Sequence, residues 1–405
     1  MKKVRLKEIC DLQNGYAFKS TDYIEKSNTL NCRMSNIRPG AVFDIEYSPK
    51  YLPDEFVKKY EEFILKDGDI VIAMTDLAGD PKILGVPAEV DTKGKNVLLN
   101  QRVGKLIIKN KDKIYYSYLK YVLSNPANKE YYKKFAGGGL QLNISKKDIL
   151  NLEIPIYEIN KQMEISNKLN KIQEIINIRK KQIEQLDELI KSQFVEMFLK
   201  NEFPKEKLEN NVEEMFIGPF GSALKNECFV EENNGYCVVY EQKHAIYKNI
   251  EDFRWVDKDK YESLKRFNVQ PKDIIVSCRG TIGKTFVIPE NAPLGIMHPS
   301  IMKIRLKKEK YIPEFFEMVL QHYFLEKENQ TNGATIKMGI KASTLEKEDF
   351  IIPDMELQIK YLTFVKQIDK QKFEIQRSLE EIQRLQESLM NKYFGWMMVW
   401  RIKII

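Results

Sequence analysis

At 405 residues the chain is long enough for two or three domains, each with its own core. Its 43% hydrophobic and 30% charged residues describe a soluble globular protein, and a net charge of +7 permits an anionic partner such as nucleic acid without demanding one. Five cysteines without a CxxC pair, no signal-like apolar start and no apolar run of about 18 residues argue against a disulfide framework, export and a membrane span, so a cytoplasmic protein with no membrane contact is expected.

Residues 1–155 read as a mixed α/β segment. A helix is expected over 4–12, followed by the loop Gln13-Asn14-Gly15-Tyr16-Ala17-Phe18-Lys19-Ser20. Strand-like runs follow at 41–47, 69–74, 83–86 and 103–109, separated by Pro, Gly and Asp turn signals. A helix is expected over 115–123, then the glycine tract Gly137-Gly138-Gly139. The proline-ended run Leu152-Glu153-Ile154-Pro155 closes the segment.

Residues 162–198 then form one long helical stretch without Gly or Pro. Leu169, Ile172, Ile176, Arg179, Ile183, Leu186, Ile190, Gln193 and Met197 alternate by three and four, the heptad spacing of a coiled-coil seam. The chain writes this stretch again 196 positions later, over residues 358–394. There the slots hold Val365, Ile368, Lys372, Ile375, Leu379, Ile382, Gln386, Leu389 and Tyr393. One fixed offset across several heptads is unlike chance spacing, so the two helices are expected to pair, with the polar positions setting register.

The segment between the helices repeats the plan of the first. Leu208, Phe220 and Ser222 stand 202 positions after Leu6, Phe18 and Ser20. Asp273-Ile274-Ile275-Val276 repeats Asp69-Ile70-Val71-Ile72, and the strand 303–307 repeats 105–109. Asn332-Gly333-Ala334-Thr335 takes the place of the glycine tract, and Phe350-Ile351-Ile352-Pro353 repeats the proline-ended run. The frames recur while the loops between them differ. That is how a reader of two different half-sites would look, and also how drift would look.

Four catalytic readings fail inspection. Gly280-Thr281-Ile282-Gly283-Lys284-Thr285 ends like a phosphate-binding loop, but only two residues separate its glycines; a turn between strands 273–277 and 286–288 fits better. His244, His298 and His322 are dispersed without ligand spacing, so no metal site is expected. Pro53-Asp54 with Asp80-Pro81-Lys82 formally matches a nuclease pattern, which a chain this rich in charge produces by chance. The lone Asn125-Pro126 lacks the aromatic setting that a base-flipping methyltransferase needs. What remains suits binding: loops carrying Lys, Arg, Asn, Gln and aromatics that can neutralise phosphates or read base edges. The candidates are Tyr16, Phe18, Lys19, Gln141, Asn143 and Lys146 in the first half. In the second they are Ser222, Lys225, Arg279, Thr281, Lys284, Lys337 and Lys341.

Residues 218–225 (Gly-Pro-Phe-Gly-Ser-Ala-Leu-Lys), 273–284 and 333–337 (Gly-Ala-Thr-Ile-Lys), with the helical tracts 185–192 and 382–389, resemble the specificity (S) subunits of type I restriction–modification systems. The resemblance covers nearly the whole chain. It implies an α+β fold: two mixed α/β target-recognition domains separated by two long helices forming an antiparallel coiled coil, with a pseudo-twofold repeat. The expected segments are recognition domains at 1–157 and 201–355, spacer helices at 158–200 and 356–396, and an atypical apolar tail at 397–405. The seam would be Leu169, Ile172, Ile176, Ile183, Leu186, Ile190, Val365, Ile368, Ile375, Leu379, Ile382 and Leu389. Each domain would read half of a split site on double-stranded DNA. The helices would set the spacing: about 37 residues at roughly 1.5 Å give about 55 Å, an upper bound of about 16 base pairs. The resemblance also implies two modification subunits bringing S-adenosylmethionine, and restriction subunits using ATP and Mg. This chain itself would bind no cofactor and catalyse nothing. The competing readings are a DNA methyltransferase or nuclease with its own catalytic site, and a coiled-coil scaffold with no DNA role.

Overall fold

A computed structural model describes residues 2–79, 81–135, 140–307, 309–330 and 341–395. Asp80, the glycine tract 137–139, the motif 332–337 with Lys337, and the tail after Gly395 lie outside the described residues. The chain divides into two compact units, Met1–Lys181 with Ile375–Ile405, and Gln182–Glu374, so the divisions fall inside the long helices.

In the first unit, Ile70–Ala73 is a four-residue apolar run with every side chain buried. Such a run needs cover on both faces. It lies inside an antiparallel sheet ordered Pro87–Glu89, Ile70–Ala73, Val103–Ile108, Cys10–Asn14. Ile70 and Ile72 face a core with Leu12, Leu106, Tyr118 and Leu119. Val71 and Ala73 face the other way, onto Leu30, Cys32, Val97 and Leu99 of a second sheet. That sheet runs Tyr51–Leu52, Thr29–Cys32, Asn96–Leu99, Ile64–Leu65, and its two central strands are parallel.

Three local expectations change. The helix at 4–12 is absent: Lys2–Arg5 is a strand against Glu153–Ile156, Leu6–Glu8 a single 3-10 turn, and Cys10–Asn14 a strand. Cys10 and Leu12 alternate inward with Asp11 and Gln13 between them, a period of two that pairing with Val103–Ile108 selects over helical spacing. The strand at 41–47 shrinks to Val42–Phe43, and 83–86 forms a turn before the strand Pro87–Glu89.

The second unit repeats this topology. One sheet runs Thr285–Val287, Ile274–Ser277, Ile301–Leu306, Val212–Ile217. The other runs Arg254–Val256, Cys237–Tyr240, Gly295–Met297, Asn268–Val269, again with its central pair parallel. Lys205–Lys207 pairs with Asp349–Ile351 as Lys2–Arg5 pairs with Glu153–Ile156.

The long helices are Ile159–Phe194, continued by a π turn at Val195–Leu199, and Met355–Phe394. Within the first unit Tyr157 meets Tyr393 and Gln173 meets Gln386; within the second Asp187 meets Lys372 and Ile190 meets Tyr361. Numbers rising on one helix and falling on the other make the pair antiparallel. Leu169, Ile176, Ile368 and Leu379 are buried, and Ile172, Ile183, Leu186, Ile190, Val365, Ile375, Ile382 and Leu389 are half-buried. Each helix is pinned near its start by a fully buried glutamine. Gln162 accepts a hydrogen bond from Tyr115 N and donates to the carbonyls of Lys113 and Tyr157. Gln358 does the same with Ile312 N and the carbonyls of Lys310 and Pro353.

Candidate nucleic-acid interface

The parallel pair in each unit delivers two strand ends to the same edge, and the loops after such ends are where α/β sheets bind ligands. In the first unit, Asn100 N donates to Cys32 O (3.1 Å), Tyr16 N to Leu99 O (2.9 Å) and Gln101 N to Tyr16 O (3.0 Å). Met74 N donates to Arg102 O and Ile144 N to Met74 O, each at 3.0 Å. These bonds gather the 15–19 loop, the 33–36 turn, the 100–102 turn and the ribbon formed by Thr75–Leu77 and Gln141–Asn143. The second unit is tied alike: His298 N donates to Tyr240 O (2.8 Å), Cys278 N to Ser300 O (2.9 Å) and Gly218 N to Ile301 O (3.0 Å). Both approaches require glycine. A Cβ on Gly15 would stand 2.3 Å from Leu99 O, and one on Gly218 would stand 2.3 Å from His298 O.

The expected site residues divide. Tyr16 is 38% exposed, its ring 4.4 Å from Tyr60 and 5.7 Å from Phe63. Phe18 must be corrected: it is only 7% exposed and packs with Leu52 and Leu98, so it holds the loop from beneath and is not available to a ligand. Its phenyl ring gains more from that apolar pocket than from solvent. Lys19 is exposed, Gln141 half-buried and Asn143 exposed, with Asn143 Oδ1 accepting from Thr75 Oγ1 at 2.9 Å. Lys146 is drawn to Asp11 (2.8 Å) beside the antiparallel sheet.

Arg279, Thr281 and Lys284 share one exposed turn between Ile274–Ser277 and Thr285–Val287, whose pairing makes it a hairpin. Gly280 and Gly283 adopt φ of +65° and +79° there, which favour glycine. Ser277 Oγ fixes the turn by donating to Thr281 O (2.6 Å) and accepting from Lys284 N (2.9 Å). Ser222 and Lys225 are exposed on the Gly218 loop, beside a Phe220 that is 89% exposed. Lys341 is exposed ahead of Ala342–Leu345, and no described contact ties it to this turn. The sequence reading missed Arg33, Gln101, Arg102 and Gln242. Each follows a strand of a parallel pair, and that pairing has no local signal in the chain.

The histidines have structural surroundings. His244 is fully buried; its Nδ1 accepts from Glu241 N at 2.8 Å while Nε2 faces Glu251 O at 3.1 Å, which fixes the neutral ring with its proton on Nε2. Burial holds the pKa of His244, and of His298 beside Ser300, below the ordinary 6.5. A pKa lower in the folded than in the unfolded chain means the folded state binds fewer protons, so stability is present above pH 6.5 and lost as pH falls through the depressed values. Chemical denaturation between pH 7.5 and 5 should show this loss in the second unit, and His244→Gln should flatten it. An unchanged slope would refute the assignment. Among the described residues no three His, Cys, Asp or Glu side chains converge as metal ligands.

A family model for the type I restriction modification DNA specificity domain matches residues 1–188 and again 209–386. The chain belongs to this family. It is similar to the type I restriction enzyme MjaVIII specificity subunit of Methanocaldococcus jannaschii, at 32% identity over 186 residues, 45% of this chain and 42% of that one. This alignment therefore spans less than half of that relative's length. A second similarity, to the putative MjaX specificity subunit of the same organism, is 25% over 74% of this chain and 72% of the relative. In fold it is similar to the S subunit of a type I restriction–modification system from M. genitalium (TM-score 0.53, 17% identity, 98% of this chain and 96% of that one). It is also similar to a chain solved in work on complex assembly and conformational transition of the type I R-M system (TM-score 0.58, 17% identity, 98% of each). The two matched stretches of the family model fall on the two repeats, and the shared fold is the duplicated one described above.

Proposed function

We propose that this specificity-family chain is the DNA-addressing subunit of a type I restriction–modification complex. The observation that carries the reading is one topology built twice, with different side chains at equivalent edges: Tyr16, Gln101, Arg102, Gln141 and Asn143 in one unit, Phe220, Ser222, Lys225, Arg279 and Lys284 in the other. Two such edges read two unlike sequences, a bipartite site on double-stranded DNA, and the long helices set the spacer. Two modification subunits supply S-adenosylmethionine and methylate, restriction subunits supply ATP- and Mg-dependent translocation and cleavage, and the complex works in the cytoplasm. Exposed apolar side chains on the helices, Ile359 and Phe373 in the second unit and Ile178 and Leu385 in the first, support docking of such partners. The alternative of an enzyme with its own catalytic site draws no support from relatives that are named specificity subunits.

The test is genome-wide adenine methylation in cells carrying this chain and its modification subunits, against cells lacking only this chain. A split motif that disappears on deletion is expected; an unchanged methylome would defeat the proposal. Arg279→Ala and Lys284→Ala should each weaken DNA binding by the whole complex evenly across sequences. Each should also reduce the slope of log affinity against log salt by about 1, the signature of a lost phosphate contact. Equal slopes for variant and parent complexes would remove both residues from the interface.

A further inference from the structure

Five buried side-chain polar atoms lack a hydrogen-bond partner among the described residues: Asn31 Oδ1, Arg33 Nε, Ser35 Oγ, Tyr132 Oη and Gln242 Oε1. Four of them fall at one topological position. Asn31 lies on Thr29–Cys32, Arg33 and Ser35 follow that strand, and Gln242 follows its counterpart, Cys237–Tyr240. In each unit this strand is the one paired in parallel, so the segment after it opens on the edge where the candidate loops gather. An unpaired buried polar atom is costly, and native proteins keep few of them. Three lie in the first unit and one in the second, each on or just after the corresponding strand, and Arg33, Ser35 and Gln242 are only half-buried as whole residues, so a side-chain rotation can present them to a ligand on that edge.

The surroundings support this. Gln242 lies against the left-handed turn that carries Arg279: a Cβ placed on Gly280 would stand 3.7 Å from its Oε1 and 3.8 Å from its Nε2. Its neighbours are already committed. Glu241 forks onto Arg254, Lys243 reaches Asp252, and His244 is locked between Glu241 N and Glu251 O. Gln242 Oε1, in contrast, keeps an unused acceptor. In the first unit, Arg33 is anchored at one end, Nη2 donating to Ser48 O at 2.9 Å, while its Nε remains unpaired.

We propose that the segments after the two parallel-paired strands determine specificity, with Gln242 reading a base in one half-site and Arg33 with Ser35 reading the other. This deepens the proposed function and rests on it. The chemistry of each orphan states what it needs. Gln242 Oε1 requires a donor, which on a base edge in the major groove is the exocyclic amino group of adenine or cytosine. Arg33 Nε requires an acceptor, which guanine O6 or N7 supplies.

The test uses the complete complex with its modification subunits. Methylome sequencing of the parent comes first; if it shows no bipartite motif the proposed function itself fails, and the present inference with it. Given a parent motif, Gln242→Leu should relax discrimination by roughly 10- to 100-fold at one amino-bearing base of one half-site, leaving the other half-site intact. Arg33→Leu should do the same in the opposite half. Gln242→Glu, which keeps the acceptor, should retain the preference for an amino-bearing base. A parent motif unchanged in both half-sites by Gln242→Leu overturns the inference. So does complete loss of methylation in both Gln242 variants, because a base-reading residue alters one half-site and spares the other.

Discussion

Gln358→Leu should lower the stability of the second unit by about 3–5 kcal/mol. The side chain is fully buried, and leucine matches its volume closely enough to leave little cavity. What is lost is pairing: Ile312 N (3.0 Å) and the carbonyls of Lys310 and Pro353 (both 2.8 Å) are left without their partner, each worth about 1–3 kcal/mol when stranded in an apolar core. The three groups belong to two separate stretches of backbone, 310–312 and the segment at Pro353 that leads into Met355–Phe394, so one amide holds the helix to its domain. Gln162→Leu should act alike on the first unit, where Tyr115 N and the carbonyls of Lys113 and Tyr157 lie at 2.9, 2.9 and 2.7 Å. Urea denaturation of the two variants would measure both effects. A loss below about 1 kcal/mol in each would mean that water or a backbone shift replaces the amide, and the anchoring role would go.

Asp273→Asn should cost a comparable amount, about 3–5 kcal/mol, through charge and not through hydrogen-bond number. Asp273 is 1% exposed, takes a bidentate grip from Arg305 at 2.7 and 2.8 Å, and accepts from Gln270 N at 2.8 Å. Neutralising it takes the bidentate carboxylate from a largely buried guanidinium and leaves it a single contact to Glu214. The damage spreads, because Glu214 is shared between Arg305 (3.0 Å) and the fully buried Lys303 (2.7 Å). Burial already pushes the Lys303 ammonium below its ordinary pKa of 10.5, and Asp273 is among the charges opposing that push. Combining Asp273→Asn with Arg305→Met should recover much of the loss, since removing both partners costs less than removing one. Additive losses in the double-mutant cycle would show that the pair is not coupled.

This network shows how a repeat can be read correctly and its chemistry still be missed. Asp69 and Asp273 correspond, as the repeated Asp-Ile-hydrophobic runs indicate, and each carboxylate also accepts from the backbone three residues earlier. The strand register places Lys105 opposite Val71 and Lys303 opposite Ile275, matching the aligned 105–109 and 303–307 runs. Lys105 pairs with Asp69 at 2.7 Å, yet Lys303 turns to Glu214 and Asn268 O while Arg305 takes Asp273. Whether a basic side chain folds toward one carboxylate or another depends on neighbours from distant strands. Phe18 teaches the same point: an aromatic in a polar loop looked available, and only the packing of Leu52 and Leu98 beneath it shows that it is not.

The sequence by itself determined the duplication, the two long helices and their seam, the hairpin at Gly280, and the family. All of these are written in short-range periodicity or in repeats at a fixed offset, which survive without knowing any contact. The tertiary structure alone decided that residues 4–12 are two strand segments joined by a 3-10 turn and not a helix, because pairing with Val103–Ile108 and Glu153–Ile156 supplies backbone partners from strands about a hundred or more positions away. It alone brought Arg33 beside the Asn100 turn and Gln242 beside Gly280, since the parallel pairing that places them joins segments far apart in the chain. Local pattern fixes which elements form; which unpaired polar atoms meet at an edge follows only from how those elements pair.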